Sequence, residues 1–127
     1  MNNKTILVVD DEPDIRELIS YNLTREGYRV IAFPDPVLSL TYLEHNSPDI
    51  ILSDWLMPGM DGLEFCRRLK MNGKMQNITI IMISCRSDED EINSALNLGI
   101  NHYMVKPFII NDLTNKIKSI IDIENYK

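Results

Sequence analysis

Four positions along the chain carry the groups able to do chemistry, and each lies at the end of a short β-rich run: the acidic pair Asp10-Asp11, then Asp54, Ser84 and Lys106. Taken singly, each has an ordinary structural explanation. Asp11 could cap a helix starting at Pro13, Asp54 could open the turn through Met57-Pro58-Gly59, Ser84 could bond its local backbone, and Lys106 could be solvated. Gathered in one pocket they behave differently, because three neighbouring carboxylates resist ionising together without compensating charge. Lys106 supplies one positive charge. A hard divalent cation held by carboxylate oxygens, a backbone carbonyl and retained waters supplies the rest. All candidate ligands are oxygen and no Cys or His cluster offers a softer site, which points to Mg²⁺. A carboxylate beside two cations is a poor base, since both hold its pKa low. It is well suited to accepting a phosphoryl group. The metal and Lys106 screen the incoming charge, Ser84 hydrogen-bonds an equatorial oxygen afterwards, and an acyl phosphate on Asp54 results.

These residues meet only if the chain brings the ends of those runs to one edge. Five β-rich runs, Thr5–Asp10, Tyr28–Phe33, Asp49–Asp54, Ile78–Ser84 and His102–Val105, recur with room for one helix between each pair. The first, third and fourth are nearly continuous hydrophobic strings, as expected of central strands buried on both faces of a parallel sheet. Helical punctuation fills the gaps. After Pro13, the residues Ile15, Leu18, Ile19 and Leu23 form a stripe closed by Gly27. Asp35-Pro36 reads as an N-cap and first helical position ahead of Val37, Leu40 and Leu43. Leu63, Cys66 and Leu69 form a third stripe that ends near Gly73, and Ile92, Ala95 and Leu96 a fourth closed by Gly99. Asn111 is the expected cap of the last helix, with Leu113, Ile117, Ile120 and Ile121 facing inward. The fold class is therefore α/β: a (βα)₅ doubly wound five-stranded parallel sheet with its ligand site at the carboxyl ends of the strands.

With 127 residues, 44% hydrophobic and 25% charged, the chain fits one globular domain. No apolar run approaches the roughly 20 residues needed to span a bilayer, and the N-terminus passes straight into a strand without a signal peptide, so no membrane role and a cytoplasmic location are expected. The net charge of −6 argues against direct nucleic-acid binding by this chain. Cys66 and Cys85 show no metal-binding spacing and read as two buried thiols.

At Val8-Val9-Asp10-Asp11-Glu12-Pro13, Asp54-Trp55-Leu56-Met57-Pro58-Gly59-Met60-Asp61-Gly62, Ser84 and Tyr103-Met104-Val105-Lys106-Pro107-Phe108, the sequence resembles the response-regulator receiver domain of bacterial two-component signalling (CheY-like). The resemblance covers essentially the whole chain, residues 1–127, and implies the flavodoxin-like strand order 2-1-3-4-5. It further implies that Asp54 is the phosphoacceptor, that Asp10, Asp11, Asp54 and the Leu56 carbonyl hold Mg²⁺, that Lys106 contacts the phosphoryl group, and that the Lys106-Pro107 bond is cis. Ser84 and Tyr103 are then the switch residues. A sensor histidine kinase or phosphotransfer protein is the implied donor, and the face formed by the fourth helix, fifth strand and fifth helix the output surface. Ile109 and Ile110 belong either to that surface or to the core. The output partner is not specified, and an effector domain C-terminal to this chain is left open, as is a phosphorylation-dependent homodimer.

Three departures from the family pattern stand out. Cys85 follows Ser84 where a small residue is usual. Leu56 and Arg86 hold the two variable positions flanking the site, where an apolar Leu56 is expected to hinder the attacking water and prolong the phosphoform. Asn101-His102 replaces the acidic pair of many DNA-binding members and weakens their usual dimer. Rival functions fit less well. A Mg²⁺-dependent phosphohydrolase would carry D-x-D after the first strand, a flavin carrier would place N–H groups and hydroxyls where the carboxylates stand, and a silent interaction module has no need of the full polar set.

Overall fold

The computed structural model describes residues 4–74 and 76–125. Strands β1 (Thr5–Val9), β2 (Arg29–Phe33), β3 (Ile50–Asp54), β4 (Thr79–Ser84) and β5 (His102–Val105) alternate with helices α1 (Pro13–Arg25), α2 (Pro36–Leu43), α3 (Gly62–Met71), α4 (Glu89–Leu98) and α5 (Ile110–Asn125). All four strand pairings are parallel, in the order β2-β1-β3-β4-β5. The three central strands are sealed almost end to end, whereas β2 and β5 are part-exposed edges, so the continuous apolar strings of the sequence do mark the middle of the sheet.

Alternate strand residues feed two cores. Leu7, Val9, Ile51, Ile80 and Met82 pack with Leu43, Phe65, Cys66, Leu69 and Ala95 of α2, α3 and α4. On the opposite face Ile6, Val8, Ile50, Leu52, Ile81 and Ile83 pack with Ile19, Leu23, Leu113, Ile117, Ile120 and Ile121 of α1 and α5. Each Leu or Ile buried in this way contributes on the order of 2 kcal/mol.

Helix starts are fixed by aspartates. Asp35 Oδ1 accepts from Leu38 N at 2.9 Å with Pro36 next in line, Asp61 Oδ1 accepts from Glu64 N at 2.9 Å, and Asp88 Oδ2 accepts from Glu91 N at 3.2 Å. Gly27 (φ 95°) closes α1 in a conformation that other residues rarely adopt.

Several expectations need correction. Leu18, Val37 and Leu96 are exposed, at 48%, 60% and 39%, although each lies on an expected inward stripe. Each is the immediate neighbour of a buried residue (Ile19, Pro36, Ala95), hence about 100° around the helix from the line that meets the sheet. Asn111 does not cap α5, because the helix already begins at Ile110. Cys66 is buried, and burial pushes its thiol up to about 12. Cys85 is exposed, since it follows the last residue of β4 and leaves the sheet.

Candidate functional site

Parallel strands deliver their carboxyl ends to one edge, and the polar residues collect there. Asp10 directly follows β1 and Asp54 ends β3; they are 3% and 5% exposed. Lys106 directly follows β5 and is joined to Pro107 by a cis bond. Its Nζ lies 3.4 Å from Asp54 Oδ2, 3.5 Å from Asp10 Oδ2 and 3.7 Å from Glu12 Oε1. Asp10 is held from both sides: its Oδ1 accepts from Glu12 N at 2.9 Å, and its carbonyl accepts from Arg16 Nη1 at 2.8 Å. Behind Asp54, Ser53 Oγ donates to the Asp54 carbonyl at 2.9 Å and Gly62 N donates to the Trp55 carbonyl at 2.8 Å. Gly62 is required by close approach, for a Cβ there would stand 2.2 Å from the Asp54 carbonyl oxygen.

Burial pushes the carboxyls of Asp10 and Asp54 above the ordinary carboxylate range, against the lowering pull of Lys106 on both. For Lys106, burial alone would lower the pKa, but the charges of Asp10 and Asp54 reverse that and leave it raised. Ligand oxygens of Asp10, Glu12 and Asp54 lie within 4.8 Å of one another. If all three ionise, a single ammonium leaves two negative charges uncompensated. An all-oxygen donor set of that charge fits a hard divalent cation.

Asp11 is not one of that trio; Glu12, which sequence reasoning passed over, is, and it lies beside Lys106. Nor does Asp11 cap α1, whose N-cap position is Glu12 with no side-chain capping bond. Glu12 adjoins the acidic pair, and that proximity was its only sequence signal. Leu56 is half-exposed, two residues beyond Asp54.

Ser84 is fully buried one residue beyond Ile83, the register partner of Asp54, and its carbonyl accepts from Lys106 N at 2.8 Å. Its hydroxyl also makes the local bond that sequence reasoning weighed as the ordinary alternative, accepting from Arg86 N at 3.2 Å. Tyr103 OH donates to the Arg86 carbonyl at 2.9 Å, and burial holds this phenol above its usual pKa against the hydrogen-bonding pull of Ser84 and the charge of Arg86. The Arg86 guanidinium lies 4.9 Å from the Trp55 ring centroid and bonds to the Glu91 carboxylate. Trp55 is core, 4% exposed.

Around this edge Leu96, Val105 and Ile109 expose apolar surface on or beside α4, β5 and α5, while Ile110 packs against the α1/α5 core. Asn101 Oδ1 accepts from Ile80 N at 2.8 Å, so the residue replacing an acidic one is engaged with the sheet. No helix among the described residues is long and apolar enough to cross a membrane.

Residues 6–118 match the response regulator receiver domain family. The chain is 36% identical over 121 residues to the phosphate regulon transcriptional regulatory protein PhoB of Pseudomonas aeruginosa, covering 95% of this chain and 53% of that protein. It is 39% identical over 119 residues to the alkaline phosphatase synthesis transcriptional regulatory protein PhoP of Bacillus subtilis, covering 94% and 49%. The chain thus spans about half the length of these relatives. Among solved structures, the response regulator TrrA of Thermotoga maritima in complex with Mg²⁺-BeF superposes with a TM-score of 0.79 at 32% identity, covering 91% of this chain and 97% of that one. A family match over most of the chain, with the strand order of that fold and an acidic cluster suited to phosphorylation, has one reading: the chain belongs to the response regulator receiver domains of two-component signalling.

Proposed function

We propose that Asp54 accepts a phosphoryl group from the phosphohistidine of a sensor kinase or phosphotransfer protein in a Mg²⁺-dependent reaction. The observation that carries this reading is the nearly sealed Asp54 carboxylate, 3.4 Å from Lys106 and grouped with Asp10 and Glu12 at the strand ends. Asp54 Oδ forms the new P–O bond while the P–N bond breaks, and the electron pair stays on the imidazole, which takes up a proton. Lys106 holds an equatorial oxygen as its hold on the ionised carboxylate relaxes, and Ser84 donates to another. Asp10, Asp11, Asp54 and the Leu56 carbonyl would hold the metal, with Glu12 within reach of the same oxygens. Bound Mg²⁺ supplies charge neutralisation for the transferred group.

The domain acts on itself alone and turns over no other substrate. Phosphorylation favours an arrangement in which Ser84 has moved toward the phosphoryl group and Tyr103, already packed edge-on against Trp55, is held inward, since only such differential contact can shift a two-state population. The output surface is the α4-β5-α5 face, where Leu96, Val105 and Ile109 offer apolar contact to a partner, a second copy or an effector domain. PhoB and PhoP are named as transcriptional regulators, so a DNA-binding effector beyond this domain is one destination for the signal. The acidic receiver itself makes no nucleic-acid contact. A donor kinase charged from ATP puts the reaction in the cytoplasm. Leu56 at the rim slows the attacking water and lengthens the life of the phosphoform.

TrrA is described with Mg²⁺-BeF, and the same phosphoryl mimic tests this chain. Mg²⁺ with beryllofluoride is expected to stabilise the wild type by about 2.7 kcal/mol at a hundredfold excess over Kd, read as a rise in Tm. It should leave Asp54→Ala unmoved. An equal rise in both proteins would remove Asp54 from the role.

A further inference from the structure

We propose that Glu12 is a specificity-determining residue, whose charge at the rim of the site tightens the hold on the divalent cation and slows phosphorylation by small free dianionic phosphodonors. The inference rests on Asp54 being the acceptor and on Mg²⁺ binding beside it. Glu12 stands at the N-cap position of α1, where its side chain makes no capping bond. Its backbone is pinned instead: the N–H donates to Asp10 Oδ1 at 2.9 Å, and the carbonyl accepts from Arg16 N at 3.0 Å. The carboxylate turns toward the strand ends. Its Oε1 lies 3.7 Å from Lys106 Nζ, and it offers a ligand oxygen within 4.8 Å of those of Asp10 and Asp54. Asp10 and Asp54 are sealed, whereas 58% of the Glu12 side chain is exposed, so of the three it is the one that faces solvent.

One charge in that place acts with opposite sign on the two things the site must take up. It attracts a divalent cation held by the neighbouring carboxylates, and it repels a phosphoryl group bound for Asp54. The ionised trio, Lys106 and Mg²⁺ together carry no net charge, so they offer a dianion no net attraction; without Glu12 the same groups are positive. Glu12 also engages Lys106, the cation that must turn to the equatorial oxygens of the transferred group. Both effects slow an anionic donor. A packing role would not separate cation from anion in this way.

The test compares wild type, Glu12→Gln and Glu12→Asp in two measurements. One is the Mg²⁺ Kd by calorimetry. The other is the rate of adduct formation at saturating Mg²⁺ from acetyl phosphate, a dianion at neutral pH, or from phosphoramidate, a monoanion. Asp54 takes the phosphoryl group from either donor, and acetate or ammonia leaves with the bonding pair. One unit charge a few ångströms away in screened solvent predicts that Glu12→Gln binds Mg²⁺ about three- to tenfold more weakly yet reacts about three- to tenfold faster with acetyl phosphate. Phosphoramidate carries half the charge and should gain only about two- to threefold. Glu12→Asp keeps the charge and should stay near wild type in both measurements. Each variant alters an exposed side chain that caps nothing, so the fold is not at stake. Four results would overturn the role and leave Asp54 as acceptor: no change in either measurement, weaker Mg²⁺ binding with slower reaction, equal gains from both donors, or Glu12→Asp behaving as Glu12→Gln. No Mg²⁺-dependent adduct on wild type would overturn both.

Discussion

Lys106→Met is expected to lower the unfolding free energy of the metal-free protein by about 3 kcal/mol at neutral pH. The reason is not the loss of an attractive pair as such but what remains, two nearly sealed carboxylates facing each other with no cation between them. The pH dependence follows from the direction of the shifts. Asp10 and Asp54 have raised folded pKa values, so each costs stability wherever it is ionised; the metal-free protein loses stability as pH climbs from the unfolded value of 3.8 through the folded values. Lys106, also raised, contributes stability that, so long as its carboxylate partners are ionised, is whole below 10.5 and lost as pH rises through its folded value. The deficit of Lys106→Met should therefore be large near neutral pH and vanish in acid, where the carboxylates are protonated. Adding Asp54→Asn to Lys106→Met should restore most of the loss. Urea unfolding of the single and double variants at about pH 7 and about pH 3 measures this. An equal deficit at both pH values would mean that Lys106 stabilises through packing alone.

Gly62→Ala should be at least as damaging, for a reason unrelated to charge. A Cβ at this position meets the Asp54 carbonyl oxygen at 2.2 Å and the Trp55 Cα at 3.0 Å, and both are backbone atoms that cannot swing aside. Nor can α3 retreat freely, since Gly62 N is bonded to the Trp55 carbonyl at 2.8 Å. Overpacking against backbone is expected to cost about 3 kcal/mol. Any protein that folds by pushing the end of β3 away also displaces Asp54, and a misplacement of about 1 Å can cost about a hundredfold in rate. Denaturant midpoints together with adduct formation from acetyl phosphate decide the matter. A variant within 0.5 kcal/mol of wild type, roughly the size of a neutral surface change, would show that the turn has room.

Much of this architecture was legible in the sequence because parallel strands state their burial twice, once on each face. The strings Ile6-Leu7-Val8-Val9 and Ile50-Ile51-Leu52 admit few other readings, and the polar residues ending them had to share an edge. Asp10, Asp54 and Lys106 do meet there, and Ser84 borders them. Helix faces were less legible. In α1, α2 and α4 the apolar residues outnumber the positions that touch the sheet, so Leu18, Val37 and Leu96 satisfy the period yet point outward. Cys85 misled in another way, since apolar neighbours in sequence do not bury a residue that lies past the strand end.

The contacts around Arg86 were out of reach for a further reason. A ring, a carboxylate and a phenol from three other elements converge on it only through the tertiary fold, and nothing in Arg86-Ser87-Asp88 announces them. Glu12 was missed because its neighbours Asp10 and Asp11 already explained an acidic cluster. The pairing of Glu12 with Lys106 appears only once β5 has been laid beside β4.

The claim beneath all of this is that Asp54 is a Mg²⁺-dependent phosphoacceptor, and the most direct measurement is intact-protein mass spectrometry after incubation with acetyl phosphate, with and without Mg²⁺, on wild type and Asp54→Ala. A single phosphoryl adduct on the wild type that requires Mg²⁺ and is absent from Asp54→Ala is the predicted result. No adduct on folded wild type, or one that persists in Asp54→Ala, would contradict it.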